Sequence, residues 1–123
     1  MHQYVYSVAD KQLMFDLLQL PNVGRATVRK IIQYLVISGT QSTVFWSKVE
    51  HILQHSGVAE HQAQAVMLGC SERRSQQNAR VTQAELIARG IQVVAWWEPT
   101  YPKLLRECSD YPLLLFVRGA IEL

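Results

Sequence analysis

A short turn followed by basic residues is the part of this sequence best suited to chemistry. Asn22 and Gly24 lie in the turn, and Arg25, Arg29 and Lys30 follow it. A tight turn before a helix leaves backbone N–H groups without partners, and these can bind a phosphate without reading a base. Arg25 and Arg29 are four residues apart and can flank the same oxygens, while Lys30 adds longer-range attraction. The pattern predicts a phosphate site made of these five residues.

The stretch Leu20–Ile31 resembles the hairpin of the helix-hairpin-helix DNA-binding motif, in which Leu-Pro-Gly-Val-Gly precedes a helix. Asn22 stands where that pattern has its first glycine. Asparagine adopts the left-handed conformation more readily than most residues, so we expect the turn to form. The alternative is a connection between two helices in which Pro21 and Gly24 only mark the turn.

A fainter copy of this pattern follows about 33 residues later, at His55–Ala63. It again has a small-residue turn that leads into a helix. Glu60 lies in the first turn of that helix, where acid favours the helix dipole but repels phosphate. We therefore interpret the second copy as structural.

Two other clusters have weaker claims to function. His51 and His55 have a spacing that can hold a metal ion, but a third aligned ligand is missing, so we expect a surface or half-buried pair. Trp96, Trp97 and Tyr101 could stack on bases, although such a cluster at the end of a strand is more often part of a core.

The polar, basic run Ser71–Arg80 is interpreted as a solvated loop and helix face. The sequence contains neither Gly-x-Gly-x-x-Gly nor a Walker loop, and no nucleophile can be matched with a base. We predict no catalytic residue, no cofactor and no metal.

Composition fits an ordinary globular protein of 123 residues with 49% hydrophobic content and a net charge of +2. That charge is too small to indicate a nucleic-acid partner by itself. Its distribution says more, because residues 17–49 contain no acid but include Arg25, Arg29, Lys30 and Lys48. Two distant cysteines, Cys70 and Cys108, favour free thiols over a disulfide or zinc site. No signal peptide or spanning segment is expected.

Helical periodicity dominates as far as Gly90 and predicts five helices. Their expected bounds are about Ser7–Leu20, Arg25–Ser38, Thr43–His55, Ala59–Leu68 and Arg73–Arg89, with Ser7 and Asp10 as a capping box, Ser42 or Thr43 as the third cap, and Gly69 ending the fourth.

The pattern then changes to strands. Ile91–Trp96 is predicted as a strand, a short helix follows with Thr100 as its cap, and Leu113–Val117 is typical of a strand buried on both faces of a parallel sheet. Two strands and one helix make no stable layer alone, so we expect a fragment of a longer protein. The fold class is therefore mostly α: a helical bundle over residues 1–90, then a partial α/β segment, β-α-β, over 91–123.

The C-terminal stretches resemble the DprA (Smf) family of DNA-processing proteins. The matching pieces are Arg89–Val94, Tyr101–Leu105 and Tyr111–Gly119, in that order. The preceding helices are similar to the family's SAM-like, helix-hairpin-helix domain. The resemblance implies that residues 91–123 begin a Rossmann-like domain whose principal single-strand site should follow Leu123.

The resemblance further implies a cytoplasmic protein of natural transformation that binds single-stranded DNA and loads the RecA recombinase on it, without catalysis of its own. This chain is then an accessory DNA-binding module that contacts phosphates. One alternative is a protein-interaction module without DNA binding, and another is a truncated nucleotide-processing Rossmann enzyme. We expect no membrane partner, and we expect the apolar strand Leu113–Val117 to promote self-association.

Overall fold

The structure, a computed structural model, describes residues 6–75 and 82–118. The chain divides into two compact units, Met1–Arg80 and Val81–Leu123. The first contains α1 (Val8–Leu18), α2 (Arg25–Ser38), a 3₁₀ helix (Ser42–Ser47), α3 (Val49–His55) and α4 (Glu60–Ser75). The second contains α5 (Gln83–Ala88), β1 (Ile91–Ala95), α6 (Lys103–Arg106) and β2 (Leu114–Arg118). The mostly helical character is confirmed.

The capping box predicted at the start of α1 is present. The Ser7 side chain accepts a hydrogen bond from the Asp10 N–H, and the Asp10 carboxylate accepts one from the Ser7 N–H. The second carboxylate oxygen of this buried side chain accepts a hydrogen bond from the Ser42 hydroxyl. Asp10 therefore ties the start of α1 to the 3₁₀ helix.

The apolar stripe of α2 forms the centre of the first unit. Val28, Ile31, Ile32 and Leu35 are fully buried. They recur at the spacing of one helix face, which is why the pattern identified them. The helix ends where predicted, because Gly39 adopts a left-handed conformation and its N–H bonds to carbonyls of the last turn.

The predicted third helix is divided into two. Ser42–Ser47 form the 3₁₀ helix, and α3 begins only at Val49. Neither Ser42 nor Thr43 is the cap of this segment, since its N-cap is Gln41. The Ser42 hydroxyl bonds Asp10 instead, so a contact across the bundle replaces the local cap.

The expectation that Gly69 ends the fourth helix is wrong. α4 continues through Gly69 to Ser75. A Cβ atom at Gly69 would lie 2.8 Å from Cδ2 of Leu20, so the glycine makes room for a side chain of the α1–α2 connection. The position requires glycine for close packing rather than for a turn.

The predicted fifth helix does not start at Arg73, because residues 73–75 belong to α4. A new helix, α5, begins at Gln83 with the Thr82 side chain accepting a hydrogen bond from the Glu85 N–H. α5 packs on β1, so the predicted boundary after Gly90 lies inside the second unit rather than between the units. Gly90 follows the helix in a left-handed conformation, as predicted.

The two strands pair antiparallel, with Ile91 opposite Arg118 and Ala95 opposite Leu114. The expectation of a parallel strand buried on both faces is wrong. Burial along β2 alternates, and Phe116 is 57% exposed. A continuous apolar run cannot by itself distinguish these two kinds of strand.

The loop between the strands is held by its own polar contacts. The Tyr101 hydroxyl donates to the Pro112 carbonyl at 2.7 Å, and the Tyr101 ring is fully buried. The N-cap of α6 is Pro102, without a side-chain bond, and not Thr100 as predicted. Arg106 donates to the Glu98 carbonyl at 3.2 Å and lies over the Tyr101 ring.

Both cysteines are free thiols, as expected. Cys70 is buried and Cys108 is exposed. Among residues 6–75 and 82–118, no helix has the length and apolar character needed to cross a membrane.

Candidate nucleic-acid interface

The turn between α1 and α2 has the backbone shape that its sequence predicts. Asn22 adopts a left-handed conformation with a φ of 65°. The four residues from Pro21 to Gly24 are exposed or half-buried. Gly24 is the N-cap of α2 with a φ of −87°, an ordinary extended conformation that any residue adopts. The substitution of asparagine for the first glycine of the motif therefore leaves the turn intact.

A side chain from α4 already occupies this turn. Gln62 Oε1 accepts hydrogen bonds from the Gly24 N–H at 2.9 Å and from the Thr27 hydroxyl at 2.6 Å. Gln62 Nε2 donates to the Asn22 carbonyl at 3.0 Å. The Gly24 amide, one of the backbone N–H groups of this turn, is thus already bonded. A phosphate would reach that amide only by displacing Gln62.

The three basic residues differ in their surroundings. Arg25 and Lys30 are exposed, whereas Arg29 is half-buried. Lys30 Nζ lies 3.4 Å from the carbonyl oxygen of Gly57, in the turn between α3 and α4. Exposed cations attract phosphates through solvent, and Arg25 and Lys30 are the more exposed of the three.

The second turn, residues 56–59, lies beside the first. Gly57 has a φ of 77°, and its carbonyl oxygen accepts a hydrogen bond from Lys30 Nζ. α4 then starts at Glu60 and provides Gln62 to the first turn. Residues of the second turn and of the helix that follows it thus form hydrogen bonds with the first turn and with α2. This is consistent with a structural role for the second copy of the pattern.

Three aromatic rings pack together between α2 and α3, and we call them the ring cluster (Tyr34, His51 and His55). The ring centroids of His51 and His55 are 4.4 Å apart, and those of Tyr34 and His55 are 6.5 Å apart with the planes at 25°. His55 Nδ1 lies 2.9 Å from the His51 carbonyl oxygen. The two histidines are exposed, and Tyr34 is half-buried.

The aromatic residues that the sequence offered as base-stacking candidates belong mainly to the core of the second unit. Trp96 is buried and packs edge-on against Trp97 with centroids 4.6 Å apart. With Tyr101 also buried, two of the three aromatics belong to the core of the second unit. Within the described part of the chain, no three potential ligands are grouped to hold a metal ion. Most of the run Ser71–Arg80 lies outside the residues whose side chains the structure describes.

Sequence reasoning missed Gln62 entirely. Glutamine in the first turn of a helix has no local signature, and its partners lie as many as 40 residues away. The repeated turn was the one available hint, because paired motifs of this kind tend to pack together. Comparisons with protein-family models, curated proteins and solved structures found no match for this chain.

Proposed function

We propose that the first unit is an accessory module that binds the phosphate backbone of DNA at the start of α2. The observation that carries the proposal is the exposure of Arg25 and Lys30 beside an exposed turn, in a stretch without acid from residue 17 to residue 49. Cations at the positive end of a helix dipole combine two sources of attraction for an anion. Since Gln62 bonds the Gly24 amide, charge rather than an amide cradle is the main attraction.

The family resemblance supports the wider context of this proposal. A DprA-like protein binds single-stranded DNA and loads the RecA recombinase during natural transformation in the cytoplasm. In that setting the first unit belongs to a SAM-like, helix-hairpin-helix domain, whereas the antiparallel pairing of β1 and β2 departs from the parallel β-α-β start of a Rossmann-like domain. We propose no catalytic reaction for this chain.

Salt-dependent binding tests the proposal. The chain should bind a labelled oligonucleotide weakly and without sequence preference in fluorescence anisotropy. Affinity should fall with salt by a slope of roughly 0.7 per phosphate contact on single strands and roughly 0.9 on duplex. The variant Arg25→Glu with Lys30→Glu should abolish binding. The control Arg89→Glu with Lys103→Glu makes the same change in net charge at two exposed cations of the second unit and should keep most of the affinity.

Equal losses in the two double variants would show that overall charge, and not this surface, attracts DNA. Retention of binding by Arg25→Glu with Lys30→Glu would place the contact elsewhere. Either result contradicts the proposed site.

A protein-docking module is the second candidate function. Leu68 of α4 is 62% exposed and the adjacent Met67 is 39% exposed. Such apolar exposure is typical of a surface that a partner covers. The occupied Gly24 amide also favours this candidate. It predicts no oligonucleotide binding even at low salt.

We also propose that the chain self-associates through β2, which is a form of protein docking. Phe116 is exposed on a strand of a two-stranded sheet, where a further strand could pair. Light scattering over a range of concentrations should show a mass that rises with concentration. Phe116→Lys should keep the chain monomeric, whereas a wild-type mass that stays constant would contradict the idea.

A further inference from the structure

We infer that the ring cluster is a stacking site for the bases of an unpaired DNA strand that has a phosphate at Lys30. The inference rests on the proposed function and adds to it a second, base-contacting surface on α2 and α3. Proteins that bind single strands without sequence preference combine a basic track with aromatic rings on which bases stack. Both components are present here, side by side.

The placement of Lys30 connects the two components. Lys30 and Tyr34 are four residues apart on α2 and therefore share a helix face. Lys30 Nζ also reaches the Gly57 carbonyl, two residues beyond His55. A strand that places a phosphate on Lys30 consequently has bases within reach of the rings.

The three rings already pack on one another, so an added base would extend this stack from an exposed histidine. His55 packs against both other rings at moderate interplanar angles, 36° with His51 and 25° with Tyr34. His55 Nδ1 faces the His51 carbonyl, which fixes the orientation of the ring. Exposed rings that are already held in place lose little side-chain entropy when a base stacks on them. Imidazole and phenol rings both serve as stacking partners for unpaired bases.

The cations of α2 favour an anionic partner at this surface. α2 contributes cations and no acid, and the single acidic residue of α3 is Glu50. Duplex DNA keeps its bases inside, so only an unpaired strand can use both the cations and the rings.

The test compares three labelled probes: a strand of roughly twenty thymidines, longer than a single site, a duplex of the same length, and a strand of the same length that lacks bases. His51→Ala with His55→Ala should weaken binding of the thymidine strand about 5- to 150-fold, the loss expected from one stacked base. Binding of the baseless strand and of the duplex should stay within twofold of wild type. A general loss of structure would instead weaken binding of all three probes.

Two further variants sharpen this result. His51→Phe with His55→Phe keeps ring faces but removes ring nitrogens, and it should bind the thymidine strand about as well as wild type. His61→Ala removes an exposed histidine of α4 outside the ring cluster and should change nothing. Circular dichroism checks that each variant is folded.

Three results would overturn the inference: an unchanged affinity of the alanine variant for thymidine, an equal loss on the baseless strand, or a loss in the phenylalanine variant as large as with alanine. In these cases the proposed function still stands if Arg25→Glu with Lys30→Glu abolishes binding. If wild type binds none of the probes at low salt, the proposed function and the inference both fail.

Discussion

The two turns of the first unit share a backbone shape but differ in what they offer a ligand. Each has one left-handed residue, Asn22 in the first and Gly57 in the second, and each leads directly into a helix. The first is followed by Arg25, whereas the second is followed by Glu60 and Gln62. Gln62 turns back to bond the first turn. Similar turns can therefore divide their roles, one facing solvent with positive charge and the other supporting it.

The largest effect should come from removing that support. Gln62→Ala deletes three hydrogen bonds, and at about 1 kcal/mol each the free energy of unfolding should fall by roughly 2–3 kcal/mol. Urea denaturation measures the change. Gln64→Ala, an exposed neighbour on α4, should cost less than about 0.5 kcal/mol. Equal effects of the two variants would mean that the second turn does not support the first.

The backbone of the second turn should tolerate side chains poorly. Gly57 has a φ of 77°, and a Cβ there would meet no atom within 4 Å, so the cost of Gly57→Ala is conformational alone. We expect a loss of about 1–2 kcal/mol in thermal or urea unfolding. Gly57→Asn should lose less, because asparagine accepts this conformation better. Losses of the same size in both would argue against a conformational origin.

Reversing the charge of the second turn should raise the affinity for DNA. Glu60→Lys gives the second turn a cation in place of an acid, and DNA affinity at low salt should rise about three- to tenfold, with a salt slope steeper by up to roughly 0.7 on single strands. Anisotropy measures both quantities. Glu107→Lys, the same charge change in the second unit, is the control, and an equal rise there would attribute the effect to net charge.

The smallest effect on stability is expected at Asn22, which stands where the helix-hairpin-helix pattern has glycine. Asn22→Gly should change the free energy of unfolding by less than about 1 kcal/mol, since both residues adopt the left-handed conformation. Asn22→Ala should destabilise by about 1 kcal/mol or more. Differential scanning calorimetry can compare the two. A larger loss with glycine than with alanine would show that the asparagine side chain itself is required.

Local signals predicted local structure well. Ser7 and Asp10 marked the start of α1, and Gly39 marked the end of α2, because the relevant hydrogen bonds join residues close in sequence. Gly69 was misread as a helix end, since its role depends on Leu20, far away along the chain. Ser42 was misread as a cap because the helix starts one residue earlier, after Gln41, and the Ser42 hydroxyl donates to the distant Asp10.

The candidate site shows the same limit. The exposure of Arg25 and Lys30 and the left-handed Asn22 follow from the local pattern. The occupation of the Gly24 amide does not, because it depends on how α4 packs beside α2. Short motifs therefore predict the shape of a turn more securely than they predict which of its amides remain open.

The difference between the two thiols has a practical consequence for these measurements. Cys108 is exposed near the end of α6, whereas Cys70 is only 6% exposed within the first unit. A maleimide dye should therefore couple to the native chain at one position, without any engineered cysteine. The labelled protein could then report binding of unlabelled strands, with the fluorophore attached outside the unit that carries the tested surface.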